Sequence, residues 1–340
     1  AMKFSISGLI GRMPISMDSL ALIFIVVAVS DSYALAGALS AVASIVISIA
    51  NPFWSRLADR IGQRKMLMRV VPMKIIGLSL FIALVMNGAP VWTWFVSIIL
   101  AELAAINTGG LVRRRWLHVL SPDKSTTAED ETDKHVVNTA YSYEALMDEV
   151  VFIVGPITAT ACATSIAPAA GLIAGMILMS IGLPLFAMQR ATEPPPSPVR
   201  VKDPHPPVIG IPIVQAIALA TTFTGGFFGA ISITVVGFAE SQGAKSYSGL
   251  LLGIWASGSA VMAIINGLIK WKTPYVGRFL IFLTALTALS IPFIFVDSIF
   301  WLAVALFFNG FAIAPLIVNA YGVVQEVVPS EQITESFTWV

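Results

Sequence analysis

Two carboxylates stand where carboxylates are costly. Asp18 and Glu102 each lie about ten residues inside a long apolar stretch, roughly 15 Å along a helix from its end. Ionisable groups at such depth are functional candidates by default, and a carboxylate there can take up and release a proton. Asn107, in the same stretch as Glu102, and Asn309, in a later one, are polar candidates for a solute site. Glu144, Asp148 and Glu149 open another stretch, with Glu144 and Asp148 one helical turn apart and on one face with Gly155. Arg113, Arg114 and Arg115 leave the preceding stretch close by, so gating ion pairs between Arg113 and these acids are expected. Phe223 with Phe227, and Phe307 with Phe311, are i,i+4 pairs that can form an apolar wall for a lipophilic solute or face lipid.

Other chemistry is poorly provided for. His118, His135 and His205 fall in polar connections without metal-ligand spacing, and the single cysteine, Cys162, lies in an apolar run as a packing residue. No metal site, cofactor or nucleophile–base pair at depth is expected, and no enzyme.

The elements that must hold these residues follow from hydropathy. The chain of 340 residues is 57% hydrophobic and 11% charged, with a mean hydropathy of +0.86. Apolar stretches of about 18 to 25 residues recur along its length, each matching a hydrocarbon core of ~30 Å. The expectation is an all-α polytopic membrane protein with ten spans, near 6–29, 33–54, 69–87, 91–112, 139–165, 169–188, 208–238, 247–269, 277–296 and 299–325. Lys and Arg crowd alternate connections, notably Arg56 to Arg69, Arg113 to Lys134 and Lys270 to Arg278, whereas the opposite connections hold only Lys245. This asymmetry predicts a cytoplasmic N-terminus in a cell (inner or plasma) membrane.

Two longer connections stand out. Residues 121–138 are polar and largely acidic and read as a mobile surface loop. Residues 189–207 carry seven prolines and read as a semi-rigid cytoplasmic linker. That linker divides a first six-helix bundle, residues 1–188, from a second at residues 208–340. A loose internal repeat supports the division: Asn51 and Gly62 are separated like Asn266 and Gly277, in the connections after spans two and eight. On this plan the second bundle is incomplete, with four helices and the start of a fifth at Thr334 to Val340. Repeated halves about a linker are a recurring transporter plan.

The connection after span two reads Ser55-Arg56-Leu57-Ala58-Asp59-Arg60-Ile61-Gly62-Gln63-Arg64-Lys65-Met66-Leu67. It resembles the G-x-L-A-D-R-x-G-R-K-x-x-L pattern of the major facilitator superfamily of secondary transporters, with Ser55 for the first glycine and Gln63 for the first arginine of the pair. Gly62 allows a tight turn with φ > 0. The resemblance implies that Asp59, Arg60, Gly62 and Arg64 form a conformational latch, with Asp59 bracing against the start of span eleven at Thr334 to Phe337. Gly155-Pro156 in span five resembles the family's exporter signature ending G-P-x-x-G-G, though Ala159 and Thr160 replace its last glycines. The phrase DEVVFIVGP is similar to drug-efflux-like bacterial members.

The resemblance implies two six-helix bundles in the full-length plan, with spans one, four, seven and ten lining a cavity that Asp18 and Glu102 could share. The function expected is proton-coupled efflux of a small organic solute by alternating access, by a monomer in contact with lipid and without nucleic acid. The alternatives are a metabolite importer of the same superfamily and a non-transporting truncated remnant or scaffold.

Overall fold

A computed structural model of the protein describes residues 2–120, 130–196, 210–269 and 271–328. They fall into two compact units, Ala1–Arg200 and Val201–Val340. The described residues are helical apart from turns and short connections, and nine helices are long and apolar enough to cross a membrane. A tenth crossing is made of two shorter pieces, Val91–Glu102 and Thr108–Leu120. This is the polytopic all-α fold expected from hydropathy.

In the first unit, α1 (Met2–Arg12) and α2 (Pro14–Ser30) form one crossing. Pro14 at the start of α2 lacks an N–H, which is why the crossing divides there. The chain turns at Asp31, whose φ of 52° is left-handed. Ser32 then caps α3 (Tyr33–Ile61), its Oγ accepting from the Leu35 N–H at 3.1 Å. Gly62 joins α3 to α4 (Gln63–Met86) with φ 91°, the conformation anticipated for it and one that a side chain would strain. The helices α5 (Val91–Glu102) and α6 (Thr108–Leu120) follow, then α7 (Asp130–Ser165) and α8 (Ala170–Met188). The acidic connection is thus shorter than its composition suggests. The chain is helical from Asp130, while residues 121–129 lie outside the described residues, as does most of the proline-rich linker.

Water cannot drive helices together inside a bilayer, so close backbone approach must. Small residues provide it here. A Cβ on Gly182 would collide with the Gly11 backbone, one on Gly77 with Ala101, and one on Gly155 with Ser16. Span one is thereby clasped between α7 and α8. Large apolar side chains point outward instead, among them Ile49, Ile76, Trp92 and Met188, each more than 65% exposed, as lipid contact requires.

The second unit holds α9 (Pro212–Ser241), α10 (Ser248–Leu268), α11 (Tyr275–Ala288), a 3-10 turn at Ile291–Phe295, α12 (Ile299–Gly310) and α13 (Ile313–Val327). Gly258 and Gly310 let the α10 and α12 backbones meet, each lying against a carbonyl of the other helix. The segment expected to open an eleventh span lies outside the described residues.

Candidate functional site

Span four is interrupted where Glu102 ends α5. The freed backbone groups at the break find side-chain partners, as a buried membrane crossing demands. Trp54 Nε1 donates to the Leu103 carbonyl at 2.6 Å, and the Gly110 N–H donates to Asn107 Oδ1 at 3.0 Å. Asn107, a sequence candidate for solute contact, is therefore the cap of α6.

Glu102 meets a cation at this break. Lys74 on α4 places Nζ 2.6 Å from Glu102 Oε2 and 3.5 Å from Asp18 Oδ2. All three side chains are at least four-fifths buried. Lys74 thus bridges the two acids singled out in the sequence, and spans one, three and four converge on one ionic cluster. Asp18 Oδ1 is buried and has no hydrogen-bond partner among the described residues. It faces the bare backbone of Gly175, whose Cβ would lie 3.2 Å away. Two carboxylates and one ammonium leave this cluster an excess negative charge when all are ionised.

A second cluster lies further toward the chain's N-terminus. Glu144 is fully buried and accepts from Ser5 Oγ at 2.5 Å, Trp116 Nε1 at 2.7 Å and Arg12 NH2 at 2.7 Å. Asp148, one turn on, is 30% exposed and sits between Arg12 NH1 at 3.1 Å and Arg113 NH2 at 2.6 Å. The expected pairing of Arg113 with Asp148 is present. Glu144 takes Arg12 rather than Arg113, because Arg12 ends α1 alongside it. Glu149 carries no ion pair among those the described residues show.

The Gly62 turn is held by a third set of contacts. Asp59 pairs with Arg114 of α6, inside the first unit; the segment it was expected to brace, Thr334 to Phe337, lies outside the described residues. Glu193 Oε1 accepts from the Arg64 N–H at 2.8 Å, placing a carboxylate at the N-terminus of α4 where the helix dipole favours it. Arg115 is completely buried. It donates to Gln63 Oε1, to the Phe186 and Gln189 carbonyls and to Thr192 Oγ1, with its guanidinium 3.7 Å from the Phe186 ring centroid. Arg60 makes no ion pair among the described residues' contacts.

Gly155 and Pro156 lie where α7 crosses α2. Ser16 Oγ donates to the Val151 carbonyl at 2.7 Å, and the space above Gly155 belongs to Ser16. In the second unit, Asn309 is fully buried, accepts from Trp255 Nε1 at 2.9 Å and donates to Ser290 Oγ at 3.1 Å. It ties α10 and α12 to the end of α11. Phe227 packs edge-on against Trp255, and Phe307 against both Phe308 and Phe311. Phe223 is 72% exposed.

Sequence reasoning gave Lys74 and Arg12 no site role and missed Trp116 and Glu193. For Lys74 the signal was present: a lysine in the run VVPMKIIGL is as anomalous as Asp18 in its own. Arg12 was legible in the same way. The roles of Trp116 and Glu193 depend on tertiary contacts between residues 28 and 129 positions apart.

Comparison with known proteins gives these clusters a family. The Major Facilitator Superfamily model matches residues 4–340. The chain belongs to the major facilitator superfamily, and it is a multi-pass membrane protein of the transporter class. No curated protein matches it by sequence. Among solved structures, a mutant of the nucleoside transporter NupG aligns with a TM-score of 0.75 at 13% identity, over 99% of this chain and 86% of that one. The peptide-transporter-family protein PepTSo aligns at 0.67 and 11%, over 99% and 85%. A bacterial homologue of the iron transporter ferroportin, in its inward-facing state, aligns at 0.65 and 13%, over 100% and 87%. At these identities the likeness is one of fold.

Proposed function

We propose that the protein is a proton-coupled secondary transporter that exports a small organic solute by alternating access. The observation that carries the reading is the Asp18–Lys74–Glu102 cluster. A buried ionic cluster inside a transporter bundle is expensive unless it is used. Lys74 grips Glu102 closely and Asp18 loosely, and one Asp18 oxygen has no donor among the described residues. That oxygen is the place where an arriving proton can be held as an O–H. Loss of the Asp18 charge releases the looser of the two holds on Lys74, which couples proton uptake to the packing of spans one, three and four.

Export is supported by the family resemblance of Gly155-Pro156 and by its position at the crossing of α2 and α7, the helices that carry Asp18 and Asp148. The distribution of Lys and Arg supports a cytoplasmic N-terminus in a cell membrane. In that orientation the Gly62 turn and its Asp59–Arg114 pair form a cytoplasmic latch on the first unit. No observation calls for more than a monomer.

The test uses energised membrane vesicles containing the protein, offered benzenesulfonate, phenyltrimethylammonium and uridine. Everted vesicles should accumulate at least one of these solutes when a proton gradient is imposed, and a protonophore should discharge it. Accumulation only in right-side-out vesicles would replace export by import. Retention of no solute in either orientation would count against transport.

A further inference from the structure

We propose that the break in span four, together with Arg12 and Arg113, forms a binding subsite for an organic anion, a carboxylate, sulfonate or phosphonate, with Asp148 as its resident substitute ligand. The inference rests on the transport reading above and names the chemical class of solute for it.

The subsite is built from three features that converge on Gly109. First, α6 begins at Thr108; the Thr108, Gly110 and Leu111 N–H groups are already bonded within the break, so what its opening turn offers is the positive end of a helix of 13 residues. Such a start inside a discontinuous crossing is the arrangement by which transporter half-helices meet anionic groups. Second, two guanidinium groups face that turn. A Cβ on Gly109 would lie 3.1 Å from Arg113 NH1 and 3.9 Å from Arg12 NH1. Third, Arg12 is only 1% exposed, yet among the described residues its Nε has no partner, and its NH1 meets Asp148 at 3.1 Å as an ion pair outside hydrogen-bond geometry. A buried guanidinium with donors used this incompletely is costly to maintain.

The acids nearby do not use this capacity equally. Glu144 is fully buried and satisfied by three donors, so it fixes Arg12 in place. Asp148 is the exposed member, and it presents its two oxygens singly to Arg12 and Arg113. Its geometry is that of a carboxylate held between two arginines, which is what a solute carboxylate or sulfonate would reproduce. The neighbouring surface is also open: Asn107 and Gly110 are exposed, and Arg113 is 34% exposed. Charged side chains at a membrane crossing open toward water rather than lipid. An anion entering from that side displaces Asp148 and takes its place between the two arginines.

The experiment measures thermal unfolding of the detergent-solubilised full chain with benzenesulfonate, phenylphosphonate, phenyltrimethylammonium or uridine added. One of the two anions should raise the unfolding temperature in a saturable way. Arg113→Gln should weaken that binding at least tenfold, with Arg113→Lys intermediate. Gly109→Ala, which changes no charge and fills the cradle with one methyl group, should weaken it too. Asp148→Asn should strengthen it severalfold by removing the competitor, a gain that purely structural ion pairs would not produce. Stabilisation by the cation or the nucleoside alone, or no response to either anion, overturns the proposal. If those solutes still move with protons in vesicles, the transport reading survives that result. Conversely, arginine-dependent anion binding without any proton-linked movement keeps the subsite and removes the transport reading.

Discussion

Replacing Lys74 by Met tests whether the buried cluster is held by charge. The side chain keeps its length and loses its ammonium, leaving Glu102 and Asp18 without a cation. At an effective dielectric of about 20, contacts of 2.6 and 3.5 Å correspond to gross attractions of about 6 and 5 kcal/mol. Most of that offsets the desolvation of three charged groups, so the net loss is smaller. Removing one partner from a buried pair typically costs about 3–5 kcal/mol, because the remaining charge is stranded. For a unit of this size that is a fall in unfolding temperature of roughly 10 °C. The double variant Lys74→Met/Glu102→Gln should recover more than half of the loss, since a neutral amide can remain buried where a lone carboxylate cannot. Thermal unfolding of the four proteins of this cycle, in one detergent at one pH, gives the coupling energy. A single variant as stable as the parent, or a double variant no better than the single, would refute the claim that charge holds spans one, three and four together.

Other substitutions probe the supports. Gly155→Ala puts a methyl group into the space of Ser16 Oγ and breaks its bond to Val151; a loss of about 1–3 kcal/mol is expected, read as a lower unfolding temperature. Glu193→Gln removes the charged cap from α4 and should cost about 0.5–1 kcal/mol, with faster hydrogen exchange around Arg64. Asn309→Leu leaves Trp255 Nε1 buried without its acceptor and should cost about 1–3 kcal/mol, together with a change in tryptophan fluorescence. Phe223→Ala, at an exposed position, should stay within about 0.5 kcal/mol of the parent.

Hydropathy made the crossings legible, because a bilayer allows few alternatives to long apolar helices. The Gly62 turn was legible for a comparable reason: glycine between two charged helix ends at a tight connection has few other uses. The breaks in spans one and four were not, although Pro14 and the Asn107-Thr108-Gly109-Gly110 run mark them. A proline or an asparagine followed by glycines is tolerated within a crossing as readily as it ends one, and the outcome depends on whether a neighbour such as Trp54 satisfies the freed carbonyl. Asp18 and Glu102 were recognisable as anomalies of depth, but their joining through Lys74 depends on which face each helix turns inward. Asn309 carries the same ambiguity. A polar residue in an apolar helix can face a solute or tie two helices together, and the bonds of Asn309 to Trp255 and Ser290 are of the second kind.

Proton movement driven by a solute tests the central claim most directly. Liposomes containing the protein and a trapped pH-sensitive dye would be given an inward gradient of whichever solute the vesicle experiments show to move. The account predicts that the dye reports proton counter-movement with the parent protein. It predicts none with Asp18→Asn, although that variant still exchanges labelled for unlabelled solute. Unchanged proton movement in Asp18→Asn, or solute exchange in the parent with no proton movement at all, would contradict the role assigned to the Asp18–Lys74–Glu102 cluster.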